Sequence, residues 1–363
     1  MNPPVVNSWN EWDPLEEVIV GIVDGAVFPS WNTINQATVP PGHWPEIEAL
    51  IGQGGRPYPE EMVDAARECL DELVGILHQA HVIVTRPEPM NFEQCFGTPS
   101  WGARTGFCAA NPRDVFLTIG DEIIEAPMPD RGRQYETWPY RTLMREYFRR
   151  GARWTSAPKP QCLDALYDAD YEATPKGHTP IRWVTTEFEP AFDAADFVRC
   201  GRDLFVTRSH VTNQMGIEWL RRHLGPQFRI HEVRTRSPQA MHIDTTFMPL
   251  APGKLLVNPE YIDVNDLPDA VKNWDILVAP KPVITDDNPV GVVSGWVNMN
   301  VIMLDPTHVV VEKNQTPMIK AFESWGFEPV PCAFEPYYAF AGSFHYATLD
   351  VRRRGALESY CDA

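Results

Sequence analysis

The sequence predicts an α/β fold in which five strand–helix–strand units close into a pseudo-fivefold ring around a central pocket. Three observations predict it. A short apolar strand, an amphipathic helix and a second strand recur five times in the same order. Each of the last four units is preceded by a segment ending in Pro, Gly or Asp turn residues, which reads as the first arm of a hairpin. The final segment, SFHYATLDVRR (residues 343–353), has no unit after it, and the first unit has only the short NSWNEWDP (residues 7–14) before it. A last strand that returns to the first closes the ring and leaves no free sheet edge.

In the first unit, LEEVIVGIV (15–23) is the strand, PEEMVDAARECLDELVGILHQ (59–79) the helix and HVIVTRP (81–87) the return strand. The second has DVFLTIG, the helix YRTLMREYFRRG (140–151) and RWTSAP; the third has DLFVTRS, the helix MGIEWLRRHLG (215–225) and RIHEVR. The fourth is KLLVNPE, the helix LPDAVKNW (267–274) and DILVAP; the fifth is HVVVEKN, the helix TPMIKAFESWG (316–326) and EPVPCAF. Met318, Ala321, Phe322 and Trp325 fall at i, i+3, i+4 and i+7, so the last helix buries one face. The partner segments are CAANPRD, FDAADFVRCGRD, MHIDTTFMPLAPGK and NMNVIMLDPTH. Equivalent positions in repeated units point at a common axis, so Asp114, Asp193, His242, Asp244, Asn298, His345 and Tyr346 are expected to converge on one pocket.

Composition narrows the function. A chain of 363 residues fits one large domain, taken as residues 1–363, or two. Its 44% hydrophobic and 22% charged residues are those of a soluble globular protein. A net charge of -18 repels polyanions, so nucleic acid is not an expected partner. Seven cysteines without CxxC spacing argue against a disulfide framework and against structural zinc, and fit a reducing cytoplasm. No basic leader precedes an apolar run, and no apolar run approaches the roughly 18 residues of a membrane span. The sequence has no GxGxxG, Walker loop, HExxH or histidine cluster with ligand spacing, so no metal, nucleotide or other cofactor is expected.

His242 and Asp244 lie two apart on an expected strand and would face the same side. A histidine beside a carboxylate is arranged for acid/base work near neutral pH, or it is a core histidine satisfied by its neighbour. Asp193 and Asp196 flank two alanines before a strand, where they orient that histidine, grip a cationic group such as a guanidinium, or simply cap a turn. Asp114 in NPRD reads most simply as a turn residue. Tyr346 beside His345 offers either a weak acid, with an unperturbed pKa of about 10, or bulk that plugs the pocket. Cys332, on an apolar strand, reads as a buried structural thiol.

NEWDPLEEVIVG, GDEIIEAPM, APKP, TTEFEP, FDAADF, GIEWLRRHL, MHIDTTF, MNVIMLD and FHYATLDVRRRG together resemble glycine amidinotransferase and its bacterial natural-product relatives, in the same order across nearly the whole chain. The resemblance implies a five-bladed α/β-propeller, pentein-like, and a homodimer. In that family a cysteine attacks the guanidinium carbon of arginine and passes the amidino group to an amine without a cofactor. Carried over by motif, the orienting aspartate falls on Asp193, the acid/base histidine on His242 and guanidinium-binding carboxylates on Asp114 and Asp244. Tyr261, Ser294 and His345 complete the expected substrate-binding set.

Two positions depart from the family pattern. Where the family has GGGFHC, this chain has AGSFHY, with Tyr346 in the cysteine's place, and Tyr261 in NPEY stands where the family carries its substrate-carboxylate arginine. A phenol is a poor nucleophile toward a guanidinium. The expectation is therefore an enzyme of bacterial secondary metabolism that uses His242, Asp193 and Tyr346 for condensation, cyclisation or hydrolysis of a small or acyl pathway intermediate. The alternatives are arginine-dependent amidino transfer with another nucleophile, and a catalytically silent partner of an active homologue.

Overall fold

The computed structural model describes residues 4–52, 54–284 and 294–361. Among them are five three-stranded sheets of one pattern, plus a small hairpin of Phe96–Gly97 with Gly102–Ala103. In each sheet the middle strand pairs antiparallel with an inner strand and parallel with an outer one. The second sheet is Phe116–Ile119, Glu122–Glu125 and Arg153–Ser156; the third is Phe197–Cys200, Asp203–Val206 and Arg229–Glu232. The fourth is Phe247–Ala251, Lys254–Val257 and Asp275–Val278; the fifth is Ile302–Met303, His308–Glu312 and Glu328–Cys332.

The first sheet takes its inner strand from the other end of the chain. Thr348–Arg353 runs antiparallel to Leu15–Val20, which pairs parallel with Ile83–Thr85. The expected return of the last strand to the first is thus observed. Parallel pairing requires a crossover, and helices Glu60–Gln79, Arg141–Arg149, Gln214–Leu224 and Thr316–Ser324 supply it in four units. The fourth unit departs from expectation: residues 267–274 form only a 3-10 turn, Asp269–Val271. The stretch offers only eight residues, few over which to recover the cost of nucleating a helix.

Inner strands such as Phe197–Cys200 are wholly buried, whereas outer ones such as Arg229–Glu232 are half open to solvent. Buried side chains join neighbouring sheets in a cycle. One cluster packs Val18 and Val20 of the first sheet against Val310 and Cys332 of the fifth. A second joins Leu349 and Val351 to the second and third sheets through Phe116 and Phe197, and a third joins Val198 and Phe205 to the fourth and fifth through Phe247 and Val309. Helices Thr33–Thr38 and Trp44–Ile51 also lie outside the repeat, inserted between the first strand and its crossover helix.

Candidate active site

The inner strands position the site because each is entered through a short turn bearing polar side chains. Those turns are Pro112–Val115, Ala194–Asp196, Ile243–Thr245 and Gly295–Met299, with residues 343–346 before the last strand. Successive turns pack on one another, so Asp114, Asp193, His242 and Asp244, far apart in sequence, meet in the middle. His242 and Asp244 are not on a strand as expected. His242 has φ 64°, in the region that disfavours side chains, and Asp244 lies in the 3-10 turn that follows. This backbone turn sends the two side chains to different partners.

His242 closes a ring of charges. Its Nε2 lies 3.0 Å from Asp193 Oδ2 and its Nδ1 lies 3.7 Å from Asp114 Oδ1. On the far side, the Arg133 guanidinium donates to Asp114 Oδ2 at 2.8 Å and to Asp193 Oδ2 at 3.4 Å, while Glu136 grips its other edge at 2.8–3.1 Å. Burial alone would depress the His242 pKa, but the Asp114 charge and the Asp193 contact overcome it and push it up to about 9. The ring is therefore an imidazolium at neutral pH and a proton donor first. Burial would also depress Arg133, yet the charges of Glu136, Asp114 and Asp193 hold it firmly cationic.

Asp196 stands behind this ring, taking hydroxyl hydrogens from Ser209 and Thr212 at 2.6 and 2.5 Å; burial nevertheless lifts its pKa to about 7. Asp244 lies 2.5 Å from His345 Nδ1, whose Nε2 lies 3.2 Å from Glu11. His345 thus props Asp244 from behind. Among the described residues, four buried carboxylate oxygens accept no hydrogen bond: Oδ1 of Asp114, which has only the longer ion pair to His242, and Oδ1 of Asp193, Asp196 and Asp244. Stranded acceptors of this kind are costly unless a ligand donates to them.

Tyr346 is 5% exposed and packs its ring against His242, centroids 5.1 Å apart. Its amide donates to Asn300 Oδ1 at 3.1 Å, and burial with the Asp244 charge raises its phenol pKa well above the ordinary value. It is a neutral phenol that donates a hydrogen and does not ionise. Cys332 is packed in the core between the first and fifth sheets, where burial raises its thiol further from reactivity. Asp114 lies in the Pro112–Val115 turn, as its motif suggested, but it does more than turn the chain: its side chain is buried and paired with Arg133.

Two cavities reach the ring. A polar one of 240 Å³ is lined by His242, Thr245, Thr246, Tyr261 and Ser294. A larger one of 380 Å³ reaches Asp193 and Arg133. Tyr261 and Ser294 therefore stand at the open side of the site, while Asp114, Asp244, His345 and Tyr346 are buried behind it and line neither cavity. Sequence reasoning missed Arg133, Glu136 and Glu11. Only the i, i+3 spacing of Arg133 and Glu136 in RGRQYE hinted at the first two, and a loop position gave no reason to place them in the centre. Among the described residues no group of three or more His, Cys, Asp or Glu is placed to hold a metal ion, and no helix is long and apolar enough to cross a membrane.

No protein-family model matches the chain. By sequence it is 47% identical over 355 residues to an L-arginine:L-lysine amidinotransferase of Pseudomonas savastanoi pv. phaseolicola, covering 98% of this chain and 96% of that one. Among solved structures, SxtG, an amidinotransferase of Microseira wollei in the saxitoxin biosynthetic pathway, matches with a TM-score of 0.91 at 57% identity, covering 98% of this chain and 99% of the other. The inosamine-phosphate amidinotransferase StrB1 of Streptomyces griseus matches with a TM-score of 0.88 at 36% identity, covering 99% and 100%.

Proposed function

The chain belongs to the amidinotransferase family, and from that membership we propose that it is an enzyme of bacterial secondary metabolism which binds a cationic intermediate and works on it by proton transfer, without a covalent amidino-enzyme. The observation that carries this reading is Tyr346, a buried phenol packed on His242, which the sequence resemblance puts where the family's motif has its thiol. His242 donates the first proton and Asp193 orients it. The free oxygens of Asp114, Asp193 and Asp244 hold the cationic head, and Tyr346 donates a hydrogen bond to charge developing beside it. Tyr261 and Ser294 contact the substrate from the open side, and His345 acts through Asp244. Condensation, cyclisation and hydrolysis are the reactions such a set serves. The same reading takes residues 1–363 as one five-bladed propeller domain, cytoplasmic and homodimeric, acting on a small or acyl intermediate with no added cofactor.

The test supplies purified protein with arginine and either glycine or lysine, and follows ornithine, guanidino product and an amidino adduct of about 42 Da by mass spectrometry. The native chain is expected to be silent, and Tyr346→Cys to acquire the adduct and release ornithine. Turnover of arginine by the native chain would sink the proposal, and the adduct's position would identify the nucleophile. A binding-only role is favoured by the same packing of Tyr346 on His242. It predicts that no neighbouring pathway intermediate is consumed and that His242→Asn changes nothing but stability.

A further inference from the structure

Proton transfer at His242 leaves the larger cavity without a role. Its 380 Å³ lies within the range of small-molecule sites. Most of its wall is carbon, from Phe28, Ile34, Val39, Ile47, Tyr58 and Met62, and much of this comes from the two inserted helices. Its charged side chains are Arg104, Asp130, Arg131, Arg133 and Asp193, of which Arg131 is held by Asp164 and by the Cys162 carbonyl. Asp130 is already engaged by the Gly132 amide and by Asn32, and Arg133 by its three carboxylates. Asp193 differs: it is 1% exposed and its Oδ1 has no partner. Thr38 and Met241 line both this cavity and the polar one, so they form the partition between them.

A free amino acid is a poor occupant. Its carboxylate would find Arg131 and Arg133 already paired with carboxylates and meet the solvent-exposed Arg104, and the remainder of its polar end would lie along an apolar wall, where unpaired charge is disfavoured. We infer that the cavity is a subsite for an apolar arm of the substrate. The ligand is an amphiphilic cation, with a guanidinium or ammonium head at the free Asp193 oxygen and an aliphatic arm among Ile34, Val39, Ile47 and Met62. This rests on the cationic-head reading above and adds the class of molecule that carries the head. Charge complementarity at one end and a carbon wall along the rest select that class over a second polar group.

The experiment measures binding of methyl-, butyl- and hexylguanidine, beside arginine, to the full-length protein by isothermal titration calorimetry. Affinity is expected to rise up to about fourfold for each added methylene until the cavity fills, with arginine weaker than butylguanidine. Val39→Asp should remove the dependence on arm length while leaving methylguanidine binding intact, whereas Asp193→Asn should weaken every member alike. If Val39→Asp does not fold, Ala103→Trp fills the same cavity from its rim and makes the same comparison. Affinity independent of arm length, or arginine bound more tightly than butylguanidine, overturns the subsite and leaves the cationic head standing. If no guanidine binds, both readings fall.

Discussion

His242 and Arg133 are the two cations of the central ring, and each stabilises the fold in a different way. His242 has a pKa raised to about 9 in the fold, against about 6.5 in an unfolded chain. Its contribution is therefore complete below pH 6.5 and is lost as pH rises through about 9, a change on the order of 3 kcal/mol. Melting temperatures measured from pH 6 to 10 should fall across that window in the native protein. His242→Asn should flatten the fall, and an equal fall in both proteins would show that another group is responsible. Arg133 stabilises by pairing with three buried carboxylates, so Arg133→Met should cost about 3–5 kcal/mol in urea unfolding, because Glu136 loses this partner and Asp114 and Asp193 are left with His242 as their remaining cation. A loss below about 1 kcal/mol, the size of an exposed pair, would mean that the ring is wetter than its burial indicates. For Tyr346 the informative change is to Phe, which keeps the packing and removes the donor. Loss of kcat with KM unchanged would assign the hydroxyl to the transition state, and unchanged kcat would leave Tyr346 as packing alone.

Elements explain why some of this was readable in advance and some was not. Strand and crossover units announce themselves through alternation and periodicity, and Thr348–Arg353 was assigned to the first sheet because it had no other partner. The fourth crossover departs from expectation because LPDAVKNW has helix-like apolar spacing, and periodicity does not register the cost of nucleating a helix in so short a stretch. His242 was identified as a site residue, but its positive φ was not, since nothing in MHID specifies a left-handed histidine. The inserted helices that wall the larger cavity lie between the first strand and its crossover helix, outside the repeating pattern, so the repeat gives no cue to them. Close approach between elements is equally invisible in sequence. Gly21 follows the first strand, its amide donates to the Ala347 carbonyl at 2.8 Å, and a Cβ placed there would lie 1.8 Å from the Ala110 carbonyl oxygen. It marks the seam where the first and second sheets deliver Tyr346 and Asp114 to the centre. Gly21→Ala should cost at least about 1–3 kcal/mol and weaken guanidine binding as well. A variant as stable as the native chain would show that the seam has slack.

At the scale of the whole molecule, closing the ring asks the two ends of the chain to meet, so the last strand pays a large loop-closure entropy before any contact repays it. A buried charge network sits at the closure. Asp350, on the last strand, accepts from Arg113 at 2.8 Å, Arg199 at 2.6 Å and Arg353 at 2.7 Å. Glu11, from the segment before the first strand, takes Arg199 at 2.8 and 2.6 Å and also faces His345. The network thus ties the segment around Glu11 and the last strand to the second and third sheets, and through His345 it reaches Asp244 in the site. Burial would raise the Asp350 pKa, but Arg113, Arg353 and Arg199 hold it well below the ordinary carboxylate range. Its stabilisation is accordingly complete above the unfolded value near 3.9 and is lost only as pH falls through the lower folded one. Asp350→Asn removes the charge but keeps the shape, leaving three buried arginines with one carboxylate fewer. At neutral pH it should cost about 3–5 kcal/mol in a single cooperative urea transition, because each sheet packs on the next around a closed cycle. Two separate transitions would mean that the closure seam opens on its own while the other sheets hold, and an unchanged midpoint would mean that the network does not fasten the ring.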